Sequence, residues 1–367
     1  MKFLSIIILA ALLALGSCGK NPEQVPEKET KLVADSSNSD KYPLLVEAAL
    51  SHWNDSDNVD SPALWMTPDG DTWIIATTKS THQLIIYDEN GETLDRQCKP
   101  GSGKNELMRP NGIWVLDNYC FVVERDNHRV QIFELPGFTH RGFIGEDKLT
   151  KPYGMAAYRD DSGNIQIYIT DAYEIVEDEI PADSLLGKRV LHYELSNQNT
   201  ENADWVFDNK FIRYIGATEG EGTIKIPESI YADPTTNTLM IAEEYEPITS
   251  VLVYSLDEGK YVKTLGSGLF RYQSEGIALY DCGEGKGYWF FTDQDEGDNT
   301  FHIYDRETHD YITSFKSETT QNTDGVWLAQ VEPDGYPMGI FIPVHDDGGI
   351  GIFSIEKLFE ELKLKCK

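Results

Sequence analysis

Six short segments of one design recur along the chain: "SPALWM" (61–66), "PNGIWV" (110–115), "PYGMAA" (152–157), "PESIYA" (227–232), "SEGIAL" (274–279) and "TDGVWL" (323–328). Each joins a small residue or proline to a variable residue, then to Gly, Ser or Ala, then to an apolar run. The third members, Ala63, Gly112, Gly154, Ser229, Gly276 and Gly325, lie 49, 42, 75, 47 and 49 residues apart. A period of this size restricts the fold to a solenoid or a propeller. Each unit goes on to a second apolar run ("TWIIATT", "YCFVVE", "TLMIAEE", "GYWFFTD") and a third alternating one ("QLIIYD", "RVQIFE", "SVLVYS", "TFHIYD"). A more polar fourth run follows, as in "KFIRYIG" and "YVKTLGS". Four short strands joined by Gly, Asn and Asp turns describe a propeller blade, so the expected fold is all-β, a six-bladed β-propeller.

The ends and the one long interval refine this picture. The sixth unit stops after its third strand and runs into "SIEKLFEELKLK" (354–365), where Ile355, Leu358, Phe359 and Leu362 keep helical spacing. The missing strand is expected from "YPLLVEAAL" (42–50), which closes the ring and removes a free edge. The long interval holds an insertion around "IVEDEIPADSLLGK" (175–188) and "NQNTENADW" (197–205). Before the propeller (44–367), residues 1–17 read as a lipoprotein signal peptide: a basic start, an apolar run too short for a span, and "LGSC" ending at Cys18. Lipidation at Cys18, a polar tether over 18–43 and export to the outer membrane are the expectations. Cys98, Cys120, Cys282 and Cys366 show no CxxC spacing, which argues against zinc, and their pairing stays open.

The repeat also gathers charge. Inner strands of all blades enter the central channel from one face, so the second-position residues Pro62, Asn111, Tyr153, Glu228, Glu275 and Asp324 are expected to ring its mouth, with Asp60 close by. The ends of the second strands fall at the same face: Lys79, Glu124/Arg125, Asp171, Glu243/Glu244, Asp293/Gln294 and Asp346/Asp347. With 62 acidic against 31 basic residues and a net charge of −31, the chain is a poor match for nucleic acid or anionic lipid surfaces. Carboxylates crowded in a narrow mouth need counter-charge to stay ionised. Calcium, which takes six to eight oxygen ligands in irregular geometry, is the natural partner.

These residues resemble a known family, the β-propeller (alkaline, calcium-dependent) phytases. "DSPALWMTPDGDTWIIATTKSTHQLIIYDENG" (60–91) is similar to its opening blade. "PESIYADPTTNTLMIAEE" (227–244), "SEGIALYDCGEGKGYWFFTDQ" (274–294) and "NTDGVWL" (322–328) are similar to its later ones. The resemblance implies calcium-dependent hydrolysis of phosphomonoesters of inositol hexakisphosphate, with several calcium ions at the mouth. It implies Asp60, Glu228, Glu243, Glu275, Gln294 and Asp324 as metal ligands. Lys79, Arg125 and Tyr153 would contact substrate phosphates, and Lys79, Arg125 and Glu228 would carry catalysis, Glu228 orienting the attacking water. Phosphoryl transfer suits this set, because it needs charge neutralisation on the equatorial oxygens. The chain departs from the family at Ser61 and Gln273, where carboxylates are common, and at blade 3, where a second phosphate-binding lysine is expected.

"RPNGIWVLDNYCFVVERDNHRVQIFELPG" (109–137) is similar instead to an NHL repeat. That keeps two rivals, a calcium-dependent lactonase-type hydrolase and a non-catalytic binding propeller. Lys79 and Arg125 favour the phosphatase, since a neutral lactone needs neither. No GxSxG elbow is present, and "GSGKNE" (101–106) lacks the Ser/Thr and spacing of a phosphate-binding loop. The expected partners are a phosphorylated small molecule and, through the lipid, a membrane; the expected state is a monomer.

Overall fold

The computed structural model describes residues 42–197, 207–246 and 248–366. The signal peptide, Cys18 and most of the tether expected from the sequence lie outside them. Six four-stranded antiparallel blades surround one axis, the first five running from an inner strand outward in chain order and the sixth taking its outer strand from the N-terminal side. The inner strands are Val59–Met66, Pro110–Leu116, Pro152–Arg159, Pro227–Asp233, Gln273–Gly283 and Val326–Ala329.

Alternation along each strand explains why both faces of every blade are apolar. In Tyr119–Glu124, Phe121 and Val123 join Met155, Ala157 and Ile167 in the core between blades 2 and 3. The intervening Cys120 and Val122 join Ala63, Ile75 and Ile86 between blades 1 and 2. Every pair of adjacent blades shares such a cluster, closing the circle between blades 6 and 1. Each large side chain buried this way contributes about 1.5–3 kcal/mol.

The segment 42–50 closes the ring as expected. Ala49–Leu50 pairs antiparallel with Gly349–Ser354 and becomes the fourth strand of blade 6. Leu44–Leu45 runs parallel to the outer strand of blade 5, so one segment stitches two blades. Between them the Glu47 carboxylate accepts from Thr320 N at 2.6 Å and Thr320 Oγ1 at 2.7 Å. The C-terminal helix, Ile355–Leu362, is capped by Ser354 and presses Ile355, Leu358 and Phe359 into the core of blades 5 and 6. Cys282 and Cys366 form a disulfide that ties the end of the chain to blade 5, while Cys98 and Cys120 are free.

The register of the repeat corrects one element of the sequence reading. In blades 2 to 5 the inner strand slips by one residue against its neighbour, past the pairs Pro110–Glu124, Pro152–Asp171, Pro227–Glu243 and Ser274–Asp293. In blade 1 the corresponding pair is Val59–Thr78. Asp60, not Pro62, is therefore the second-position residue, and Ser61 the third. Contacts between blades agree. A Cβ on Gly112, Gly154, Gly276 or Gly325 would lie 2.5–2.9 Å from the carbonyl oxygen of Tyr153, Glu228, Asp324 or Asp60, the second-position residue of the next blade. The third position is small because neighbouring backbones touch there.

Three residues beyond each second position stand Ala63, Trp114, Ala156, Tyr231, Ala278 and Trp327. Trp114 meets Trp327 at 4.9 Å and Tyr231 at 5.3 Å, both edge to face. Blade 2 is adjacent to neither blade 4 nor blade 6, so these contacts cross the channel, and the alanines of intervening blades leave the room. An aromatic plug therefore closes the channel beneath its mouth.

Candidate active site and metal centre

Above the plug, the second-position side chains form a ring of one residue per blade: Asp60, Asn111, Tyr153, Glu228, Glu275 and Asp324. A second tier follows the ends of the second strands. There Lys79, Arg125, Ala172 and Glu244 each donate a backbone N–H to the residue preceding the inner strand: Asn58, Arg109, Lys151 and Ile226. Gln294 occupies this place in blade 5. The tiers enclose a cavity of about 470 Å³ whose walls include Arg109, Arg125, Lys151, Glu228, Glu275 and Asp324.

One half of the cup is acidic. Carboxylate oxygens of Glu228, Glu244 and Glu275 all lie within 4.8 Å of one another. Oε2 of Glu228 is buried and has no hydrogen-bond partner. Burial, then the neighbouring Glu275 and Glu244, pushes the Glu228 carboxyl well above the usual range. Burial followed by Glu244 and Asp324 does the same to Glu275. Gln273 donates to Glu244 Oε1 at 2.7 Å, and Gln294 to Asp324 Oδ1 at 3.2 Å. Asp60 receives Ser61 Oγ at 2.8 Å and Asn111 Nδ2 at 3.3 Å. Ser61 and Gln273, the departures noted in the sequence, thus put donors beside the acids that remain.

Lys79 Nζ sits 3.0 Å from Asp60 and 3.4 Å from Asp324. Burial alone would lower its pKa, but Asp324 and Asp60 outweigh it and keep the ammonium protonated. Asp324 is pushed up to about 8 by burial, against the pull of Lys79. The Tyr153 phenol, raised by burial and by the charge of Glu228, stays protonated and able to donate.

Glu243, read from the sequence as a metal ligand, is placed otherwise. Its oxygens accept the backbone N–H groups of Lys225 at 2.6 Å, Ile226 at 2.9 Å and Tyr245 at 3.1 Å. The device recurs: Asp171 takes Thr150 and Lys151, and Asp293 takes Arg271 and Tyr272, at 2.7–2.9 Å. In blades 3 to 5 the second-strand residue paired with the first position of the repeat fastens the approach to the inner strand, and the following residue faces the cup. Glu244 therefore supplies the acid that Glu243 was expected to supply. Arg125 and Gln294, in that second column, stand where the sequence reading put them.

The other half of the cup is cationic. Arg109, Arg125 and Lys151 line it, with Arg189 and Lys225 alongside. Arg125 pairs with Asp126 at 3.1 Å, and Arg109 Nε is buried without a partner. Arg189 is spent on structure, donating to the carbonyls of Asp171, Tyr173 and Lys225. Sequence reasoning missed Arg109 and Lys151. Their signal was the basic residue directly before the proline in "RPNG" and "KPYG", one step ahead of the repeat.

Two buried carboxylates and a half-buried third at this spacing, one with an orphaned oxygen and none in an ion pair with a side chain among the described residues, call for positive charge beside them. An all-oxygen set of this kind fits a hard divalent cation such as calcium.

A family model described as "Phytase" matches residues 172–351. The resemblance read from the sequence holds over that stretch, and the six-bladed fold agrees with it. No curated protein sequence matches the chain. Among solved structures, a protein from Xanthomonas campestris described as a gluconolactonase superposes with a TM-score of 0.51 at 12% identity, covering 85% of this chain and 87% of that one. The Kuenenia stuttgartiensis hydrazine synthase aligns with a TM-score of 0.49 at 11% identity, covering 86% and 81%. At such identities the gluconolactonase likeness concerns the fold alone.

Proposed function

We propose that this six-bladed propeller, a phytase-family chain over residues 172–351, is a calcium-dependent phosphomonoesterase that cleaves organic phosphates, inositol phosphates among them. The observation that carries this reading is the divided cup, with Glu228, Glu244 and Glu275 on one side and Arg125 and Arg109 on the other. A divalent cation held by the three carboxylates would neutralise phosphoryl oxygens and ease proton loss from a water.

The chain's own groups do the rest. Arg125 offers a planar fork to two phosphoryl oxygens, and Arg109 adds its unpartnered Nε–H. Tyr153 donates its phenolic proton, and Lys79 supplies a point charge braced by Asp60 and Asp324. Glu228 Oε2 is the free acceptor that orients the attacking water. The backbone carbonyl of Glu228 is itself held by Thr170 Oγ1 at 2.9 Å, which fixes that side chain's origin. The plug of Trp114, Tyr231 and Trp327 bars solvent from below. A neutral lactone would use none of the cations, so the lactonase reading gains nothing from this cup.

Release of inorganic phosphate from inositol hexakisphosphate and from glycerol 2-phosphate, with calcium and with chelator, tests the proposal. Release that depends on calcium is expected. No release from either ester at any pH with calcium in excess overturns it. We further infer attachment to the outer membrane through Cys18, which the Cys282–Cys366 disulfide supports by suiting an oxidising compartment. Cys18→Ser should move the protein from the membrane to the soluble fraction.

A further inference from the structure

The second-tier residues begin the loops between second and third strands, and five of these are short: residues 79–82, 125–128, 244–249, 295–299 and 346–348. In blade 3 the loop spans 172–189 and starts at Ala172, on the wall of the cup. It forms a strap over the cationic side. Pro181 and Leu186 are buried, Tyr173 Oη donates to the carbonyl of Leu185, and Lys225 pairs with Asp183. From this strap Glu174, Asp178 and Glu179 join the lining of the cavity. Glu174 pairs with Lys151 and accepts the N–H of Asp178 at 3.1 Å. The Lys151 contact lowers the Glu174 pKa, so the acid is ionised at neutral pH.

We propose that this strap is a specificity filter, setting Asp178 and Glu179 against the outer part of the substrate and using Glu174 to occupy Lys151, so that among organic phosphates the site favours esters with one phosphoryl group and an otherwise neutral or cationic body over those with several. The inference rests on the phosphomonoesterase reading and narrows its substrate class. Cations at the cup serve one phosphoryl group: Arg109, the terminal nitrogens of Arg125 (whose Nε alone is paired, with Asp126) and Lys79 are assigned to it, while Lys151 is paired with Glu174, Lys225 with Asp183, and Arg189 is bound to carbonyls. Any further phosphate must rise past the strap toward the carboxylates of Asp178 and Glu179, while Glu174 holds Lys151 out of its reach. Repulsion between like charges at such a rim lowers both encounter rate and affinity for a polyanion. Ala172 completes the effect, because it leaves the start of the strap without the cation that Lys79 and Arg125 supply in blades 1 and 2.

The experiment compares the full chain with its E174Q/D178N/E179Q variant, and with E177Q, which removes a charge from the strap at a residue outside the cavity lining. With calcium present, kcat/KM is measured for glycerol 2-phosphate and inositol hexakisphosphate. Binding of myo-inositol hexasulfate, a polyanion with no phosphoester to cleave, is followed by calorimetry. The natural chain is expected to favour the monoester, and the triple variant to gain about tenfold or more in kcat/KM for the hexakisphosphate and in hexasulfate affinity. Its gain on the monoester should be much smaller, and E177Q should shift neither ratio. A natural chain that prefers the hexakisphosphate, or a triple variant with an unchanged ratio and unchanged hexasulfate affinity, overturns the filter while phosphatase activity stands. Absence of phosphate release from both esters overturns the reaction itself and the filter with it.

Discussion

Two rings lie three residues apart on the same six strands, and they solve opposite problems. The upper ring, Asp60, Asn111, Tyr153, Glu228, Glu275 and Asp324, brings charge to an axis where it repels itself. The lower ring, Ala63, Trp114, Ala156, Tyr231, Ala278 and Trp327, fills that axis with aromatic rings that favour one another. In blades 1 to 5 the upper ring stands at the register slip and the lower ring in the regular ladder beyond it, and the side chains set there decide what each ring does. The lower ring stabilises the fold, and the upper ring costs stability unless a cation joins it. A propeller can thus hold a destabilising site because stability is supplied by the layer beneath and by six apolar seams between blades.

Changing Glu228 to Gln strikes the upper ring hardest. Partners that merely orient metal ligands cost 10–100-fold when removed, so loss of this ligand should lower turnover by more than about 100-fold. The calcium-induced rise in melting temperature should shrink as well, while the calcium-free variant melts no lower than its parent, having lost a buried acid. A variant that keeps both turnover and calcium response would separate Glu228 from the metal.

Trp327 offers the converse break. Trp327→Ala should cost about 3 kcal/mol of stability, the low end for an aromatic truncation because the ring is only partly buried. The calcium shift should survive, since no mouth ligand is touched. If the variant unfolds no more easily but loses calcium binding, the division of labour between the rings is wrong.

How far these rings could be read in the sequence depends on which physical signal each residue left. The blade count was legible because strand alternation and turns recur in every unit. The ring at the mouth was legible wherever glycine marked the close approach of neighbouring backbones, as at Gly112, Gly154, Gly276 and Gly325. Blade 1 carries Ser61 at that point, and the apolar "PALW" two residues on imitated the motif, which put Pro62 in the place of Asp60. The cross-channel meeting of Trp114, Tyr231 and Trp327 left no local trace, because it depends on blades that are not neighbours. The Cys282–Cys366 pair was likewise invisible, being set by where the chain end returns.

Glu243 and Glu244 show the same limit within a single dipeptide. Both are acidic, and only the repeat tells them apart: Asp171, Glu243 and Asp293 share a column of backbone acceptors, while Lys79, Arg125, Glu244 and Gln294 share the column that faces the cup. Glu243→Gln should therefore cost about 1–3 kcal/mol, the range for a buried group left short of its hydrogen bonds. Calcium affinity should stay within a factor of about three. Glu244→Gln should show the reverse, weakening calcium binding by at least tenfold with little loss of calcium-free stability. Equal effects of the two changes on calcium binding would undo the two-column assignment.

The last comparison is a slope with pH. In chelator, burial holds the Glu228 and Glu275 carboxyls well above their usual range and Asp324 at about 8. The unfolded chain releases these protons near about pH 4, so between that value and pH 8 the folded state binds more protons than the unfolded one. Stability must then fall as pH rises through this window, because the folded state gives up these protons later than the unfolded one. Calcium should flatten the slope, because a bound cation favours the ionised carboxylates and removes the reason for holding the protons. Melting curves across this window, with chelator and with calcium, give the comparison directly. A chelated protein that grows more stable toward alkaline pH would mean that the upper ring is already compensated by the chain's own cations, with no place left for a metal.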